Sequence, residues 1–312
     1  MSMEPRSGGR EETWRETAAY WTYRGLERLA MTLPERTGRR VFSAFAGLAH
    51  RRLHGVRETV AANQARVLGL DRDDERVRLS TREAFDLYAR YWYDTFRIRE
   101  MPDAEVNART VTEGFHNIDT ALEEGRGCIC VLPHMGNWDL AGHYLAINGY
   151  PIASVAEELR PARLSALFLR HREELGMRII PLAKDGHVGQ RLKQLLSENW
   201  VVALVADRDL AGRGVEVEMF GAPRRVPAGP ALLSLTSGAP LCVCPVATLE
   251  DGWSIRIGDP IAFEPTGETK RDVVALSREM AAGFERAIAS KPPDWHLFQP
   301  GWDELGSPVP VA

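Results

Sequence analysis

The 312-residue chain has few cysteines and lacks any long uninterrupted apolar run. No stretch reaches the roughly 18 apolar residues that a membrane-spanning helix needs, so we expect a protein that is soluble or lies on a membrane. Residues 1–13 are polar and acidic, which predicts no secretory signal. The cysteines form two C-x-C pairs inside apolar runs, a spacing that predicts buried thiols in a reducing compartment. They are Cys128, Cys130, Cys242 and Cys244.

Several catalytic signatures are also missing. The sequence contains no G-x-S-x-G elbow, no G-x-x-x-x-G-K-[ST] loop and no G-x-G-x-x-G after a predicted strand. These absences argue against a covalent serine mechanism and against a nucleotide phosphate cradle. The net charge of −4 argues against a basic nucleic-acid-binding protein.

Positive charge is nevertheless concentrated near the N-terminus. Residues 20–70 carry nine arginines against three glutamates, which suggests an anionic partner. Helices with aromatic stripes are predicted over 12–31, 39–52 and 81–99. Such stripes usually pack in a core, but in the first two helices they coincide with the arginine excess and also fit an anionic membrane surface. The helical pattern gives way to strand-like runs near residue 110, so we expect a helical, membrane-associating region over 1–110 that forms one compact unit with an α/β region over 111–312.

From residue 127 onward, short apolar runs alternate with helical segments. This order predicts an α/β fold in which helices flank a mainly parallel central sheet. Functional sites in such sheets lie at the carboxyl ends of the strands. The predicted strands are 128–132, 152–156, 178–182, 201–206, 215–220, 241–248 and 253–257, and the predicted helices are 137–147, 162–175, 187–196, 229–237 and 271–289.

The segment LPHMGNWD, residues 132–139, carries the clearest chemical signal. His134 would end a buried strand, and Asp139 would lie in the first turn of the next helix. A histidine, with an ordinary pKa of about 6.5, can take a proton from an alcohol near neutral pH. A carboxylate on its other ring nitrogen would fix the tautomer and stabilise the imidazolium.

Three other interpretations of this segment remain open. His134 could be a structural histidine, with Asp139 only favouring the helix N-terminus. His134, Asp139 and His143 could instead bind a metal in a metal-dependent hydrolase. The chain could also be a non-enzymatic lipid-binding scaffold on a membrane.

The pattern H-x-x-x-x-D in LPHMGNWDLAG resembles that of glycerolipid-type acyltransferases. The similarity is closest to the lysophospholipid/lipid A acyltransferase family, and within it to the actinobacterial phosphatidylinositol mannoside acyltransferases. It covers most of the chain and continues through the blocks EELRPARL, ADRDL, GVEVEMFG, VPAGPALLSLTSGAPL and DWHLFQPGW.

The resemblance implies an O-acyltransferase fold and activity. It implies transfer of a fatty acyl group, typically palmitoyl, from acyl-CoA to the mannose 6-hydroxyl of a phosphatidylinositol mannoside at the cytoplasmic face of the cell membrane. Another acceptor, such as a lipid A precursor or a lysophospholipid, is the alternative. No cofactor or metal is expected. His134 would be the general base oriented by Asp139, with backbone N–H groups near Gly136 and Asn137 as oxyanion donors.

Six further charged residues are predicted to bind substrate. Asp207 and Arg208 follow the predicted strand 201–206, where an acidic-plus-arginine block contacts the acceptor or its phosphate in related acyltransferases. The pair Arg224-Arg225 could bind phosphate, since the guanidinium fork matches its geometry. Exposed surface charge is the alternative explanation for all of these residues. The six are Glu157, Arg172, Asp207, Arg208, Glu216 and Arg225.

Overall fold

The computed structural model describes residues 12–157, 159–182, 187–209 and 212–302. Four helices come first, and α1 begins with a capping box in which Thr13 and Glu16 exchange hydrogen bonds between side chain and backbone. Among the described helices, none combines the length and the apolar character that crossing a bilayer requires. The helices are α1 (Trp14–Thr32), α2 (Glu35–Arg52), α3 (His54–Leu68) and α4 (Glu75–Ile98), and α5 (Asp103–Ala108), β1 (Thr110–Glu113) and α6 (His116–Glu123) follow.

A five-stranded parallel sheet forms the centre of the molecule, which confirms the predicted α/β fold. Its order is β4–β3–β5–β2–β8, so β2 lies between β5 and β8 with both faces buried. Helices follow its strands along the chain. These elements are β2 (Cys128–Leu132), α7 (Trp138–Ile147), β3 (Ile152–Ala156), α8 (Ala162–Glu174), β4 (Arg178–Pro181), α9 (Val188–Ser197), β5 (Val201–Val205), β6 (Val215–Met219), β7 (Ala222–Val226), α10 (Gly229–Ser237) and β8 (Leu241–Val243).

The chain leaves the central sheet after β8. The single strand predicted over 241–248 is wrong: β9 (Val246–Leu249) belongs to a second sheet with β1 and β10 (Gly252–Arg256). Pro245 separates the two strands, and proline has no N–H to donate to a ladder. Strands β6 and β7 form a separate antiparallel hairpin. The long helix α11 (Thr269–Ser290) precedes the last described segment, 291–302.

The N-terminal helices reach the carboxyl end of the central sheet through α4, whose Tyr91 packs against Trp138 of α7. An aromatic cluster of Tyr23, Phe42, Tyr93 and Phe96 joins α1, α2 and α4 and packs against Phe168 of α8. All four cysteines are buried and free, as their spacing predicts. Helix α4 and the segment 291–302 cover the carboxyl ends of β2 and β5.

Candidate active site

His134 lies just beyond the carboxyl end of β2, beside a buried carboxylate. Its Nδ1 is 2.5 Å from Oδ1 of Asp207, which follows the neighbouring parallel strand β5. Asp207 is 0% exposed, whereas the His134 side chain keeps 23% of its surface exposed. When Nδ1–H donates to the carboxylate, Nε2 is left as the proton acceptor. This arrangement can remove a proton from a hydroxyl group.

Asp207 is held through both its side chain and its backbone. The indole Nε1 of Trp295 donates to its Oδ2 at 2.8 Å, and Nη2 of Arg224 donates to its backbone carbonyl at 2.7 Å. Burial opposes the charge, but attraction to His134, the hydrogen bond from its ring and the nearby Arg224 outweigh it and hold the pKa of Asp207 well below its ordinary value. The carboxylate is therefore ionised at neutral pH.

The structure corrects the predicted role of Asp139. Its Oδ1 accepts a hydrogen bond from Nε of Arg172 at 2.6 Å, and its Oδ2 accepts one from the hydroxyl of Tyr91 at 2.8 Å. Burial disfavours its charge, but the Arg172 guanidinium outweighs burial and lowers the pKa of Asp139. Asp139 thus ties α7 to α4 and α8, and the carboxylate that contacts His134 is that of Asp207.

Replacing Asp139 by asparagine is expected to lower the free energy of unfolding by about 3–5 kcal/mol, because it leaves the Arg172 charge buried without its anion. Urea denaturation measures this loss. The matched control is Glu113→Gln, whose ion pair with Arg256 is exposed and is worth at most about 1 kcal/mol. An Asp139→Asn variant as stable as wild type but inactive would contradict the structural role.

The other predicted binding residues are more dispersed. Arg208 directly follows Asp207 in the chain, and its Nη2 donates to Oε1 of Gln299 at 2.5 Å. Arg172 is engaged by Asp139, and Glu157 is exposed after β3. Glu216 and Arg225 are exposed and lie opposite each other in the β6–β7 hairpin. Of the arginine pair 224–225, the structure brings Arg224, not Arg225, to Asp207.

The metal-site interpretation is not supported by the geometry. His134 contacts Asp207, Asp139 contacts Arg172, and Nδ1 of His143 lies 3.0 Å from the backbone carbonyl of Leu175. Within the described ranges, no group of three or more His, Cys, Asp or Glu side chains is arranged to hold a metal ion.

The turn after His134 is fixed by residues 294–296. The sequence did not reveal that this segment belongs to the site. The Gly136 N–H donates to the carbonyl of Asp294 at 3.1 Å, so it is not free to serve as the predicted oxyanion donor. The backbone N–H of His296 donates to the carbonyl of His134 at 2.7 Å, and the ring Nε2 of His296 lies 3.1 Å from the carbonyl of Gly136. Burial lowers the pKa of His296 to about 3, so this ring is neutral at physiological pH.

A narrow, largely apolar cavity of about 70 Å³ lies between α7 and the sheets. Asp139 and Arg172 line it, as does Trp138, whose ring centroid is 5.3 Å from that of His134. Trp138 therefore links the cavity to the His134 ring, although neither His134 nor Asp207 lines the cavity itself. Its apolar wall includes Leu132, Leu145, Met177, Ile255 and Ile257.

Comparison with known proteins shows the family to which the chain belongs. The family described as bacterial lipid A biosynthesis acyltransferase matches residues 9–304. A phosphatidylinositol mannoside acyltransferase of Mycolicibacterium smegmatis is 36% identical over 283 residues, which cover 88% of each chain. One of Mycobacterium tuberculosis is 35% identical over 293 residues, covering 92% of this chain and 89% of the relative. The chain belongs to the bacterial lipid A biosynthesis acyltransferase family.

Proposed function

We propose that this lipid acyltransferase moves a fatty acyl group, palmitoyl, from acyl-CoA to the mannose 6-hydroxyl of a phosphatidylinositol mannoside. The observation that carries the chemistry is the His134–Asp207 pair at the sheet edge beside an apolar cavity. The acceptor is inferred from the names of the two mycobacterial relatives, which cover about 90% of the chain.

The pair supports direct transfer without an acyl-enzyme. Nε2 of His134 takes the proton of the attacking hydroxyl as the new O–C bond forms on the thioester carbonyl. The tetrahedral intermediate then collapses, the C–S bond breaks, and the imidazolium returns the proton to the leaving thiolate. The Asp207 carboxylate stabilises the imidazolium in between. General-base help of this kind contributes about 10²–10⁴-fold.

The remaining substrate contacts follow from charge and polarity. The apolar wall of the cavity suits a short stretch of a saturated acyl chain, since its volume of about 70 Å³ is smaller than a whole palmitoyl chain. Arg208, next to the pair, is the candidate for a phosphate of the acceptor or of CoA. Glu157, Glu216 and Arg225 remain proposed contacts to the glycan or to CoA. No cofactor or metal enters the proposed reaction.

A transfer assay tests this proposal. Labelled palmitoyl-CoA is offered with a phosphatidylinositol mannoside, a lysophospholipid or a lipid A precursor, each with and without EDTA. We expect labelled product from the mannoside and no effect of EDTA. Product from another acceptor alone would replace the proposed acceptor, and loss with EDTA would favour a metal-dependent enzyme. No turnover with any acceptor would favour a lipid-binding scaffold.

The N-terminal helices offer a surface for peripheral binding at the cytoplasmic face of the cell membrane. Trp14 and Trp21, seven residues apart on α1, are 76% and 62% exposed. Phe45 and Leu48 of α2 are also exposed. Apolar side chains together with arginines fit an anionic lipid interface. The exposed arginines on these two helices include Arg28, Arg36, Arg40, Arg51 and Arg52.

Replacing both Trp14 and Trp21 by serine is expected to weaken partitioning onto anionic vesicles by about tenfold or more, because two indoles no longer enter the interface. Vesicle co-sedimentation measures the change. Leu232→Ser, which alters an exposed leucine on α10, is the control and should bind like wild type. Unchanged partitioning of the double variant would remove α1 from the proposed membrane surface.

A further inference from the structure

Residues 294–296, here called the C-terminal strap, are fastened to the turn that carries His134. Two backbone hydrogen bonds join them, from His296 to His134 at 2.7 Å and from Gly136 to Asp294 at 3.1 Å. Between these bonds, Met135 and Trp295 form an isolated antiparallel bridge. The strap therefore sets the position of the His134 backbone above the sheet.

The strap also reaches the second member of the pair. Trp295 is almost fully buried, and its indole N–H donates to Oδ2 of Asp207 while Oδ1 faces His134. An indole N–H is only a donor, so it orients the carboxylate without competing for the proton. The Trp295 ring is itself confined, with the Arg224 guanidinium 5.1 Å from its centroid and the Trp302 ring 6.1 Å away.

We infer that Trp295 is a positioning residue for the general-base pair. Its indole holds the Asp207 carboxylate in the orientation that faces His134, and its backbone is bridged to the turn that carries the imidazole. The inference rests on the proposed function and deepens it, because it explains how residues from three separate parts of the chain are held in register before substrate arrives. A side chain that only filled the core would affect stability and leave the pair unchanged.

Trp295→Phe tests the inference, with Trp253→Phe as its matched control. Trp253 is also fully buried and donates its indole N–H to a buried carboxylate, Oδ2 of Asp94, at 3.2 Å. We expect Trp295→Phe to lower kcat by about 10- to 100-fold with KM within about twofold, since small displacements of catalytic groups are costly. Trp253→Phe should keep kcat within about twofold of wild type when both variants are compared as folded protein.

The pH profile gives a readout that packing alone does not move. Without the indole donor, the negative charge on Asp207 is less dispersed and stabilises the imidazolium form of His134 more strongly. The acid-side half-point of kcat should therefore move to higher pH by about half a unit or more. Among the described residues, Arg224 interacts with Asp207, His296 with His134, and Arg208 with Arg224, and the substitution removes none of these three groups.

Three results would overturn the inference. The first is a Trp295→Phe variant with wild-type kcat per folded molecule. The second is an unmoved acid-side half-point, and the third is a defect confined to KM. Failure of the proposed function is recognised separately, because the wild-type protein would then show no transfer, or His134→Ala would retain it. An inactive His134→Ala variant beside a fully active Trp295→Phe variant would contradict the inference alone.

Discussion

Alanine in place of His134 is expected to reduce kcat for acyl transfer by at least about 10²-fold, because the attacking hydroxyl loses its proton acceptor. A sugar hydroxyl has a pKa far above neutral, and the Trp295 indole, which also contacts the Asp207 carboxylate, is only a hydrogen-bond donor and cannot take a proton. The loss should appear in kcat, since the imidazole acts in the transition state rather than in binding. Initial rates with labelled palmitoyl-CoA and a phosphatidylinositol mannoside measure it.

The control for this experiment is His116→Ala, which changes an exposed histidine on α6 and should leave kcat unchanged. Circular dichroism establishes that both variants are folded. If His134→Ala keeps more than about a tenth of wild-type kcat, the loss is smaller than removal of a general base should cause, and His134 is not the base.

Asparagine in place of Asp207 is expected to lower kcat by about 10²–10⁴-fold, a loss comparable to that expected for His134→Ala. The amide carries no charge to stabilise the imidazolium. Its NH₂ can also turn toward Nδ1, which would place the ring proton on Nε2 and remove the acceptor. The measurement is kcat in the same transfer assay, at a temperature where near-ultraviolet circular dichroism shows the variant to be folded.

Asp139→Asn is the informative comparison for Asp207→Asn, because the sequence pattern alone would assign the larger catalytic effect to Asp139. The structure predicts that folded Asp139→Asn retains more activity than Asp207→Asn, since Asp139 contacts Arg172 and Tyr91 instead of His134. The reverse order of activities would show that Asp139 orients the base.

Much of the fold could be predicted because its signals are local. The strands Cys128–Leu132 and Ile152–Ala156 and the helix Gly229–Ser237 have the predicted bounds, since each is a short apolar or proline-initiated segment between turns. Helix α3 was missed because two of its buried residues are polar. Asn63 donates to the carbonyls of Leu297 and Gln299, and the Gln64 side chain accepts a hydrogen bond from Ser80, contacts that hydropathy does not reveal.

The site was only partly predictable for a related reason. His134 could be located because functional sites in parallel sheets lie at the carboxyl ends of the strands. Asp207 could be placed at the same edge, but its role depends on pairing between β2 and β5, which the sequence does not state. The closeness of Asp139 in sequence was misleading, because its partner Arg172 lies 33 residues away. The bond from Trp295 to Asp207 spans 88 residues.

The pH dependence of kcat in wild type and Asp207→Asn tests the central claim most directly. If His134 must be neutral to act as the base, kcat of the wild type should fall as the pH is lowered. In Asp207→Asn, this fall should occur at lower pH than in wild type, because the imidazolium has lost its neighbouring charge. A wild-type kcat that does not fall on acidification, or an acid-side fall that stays in place in Asp207→Asn, would contradict the account.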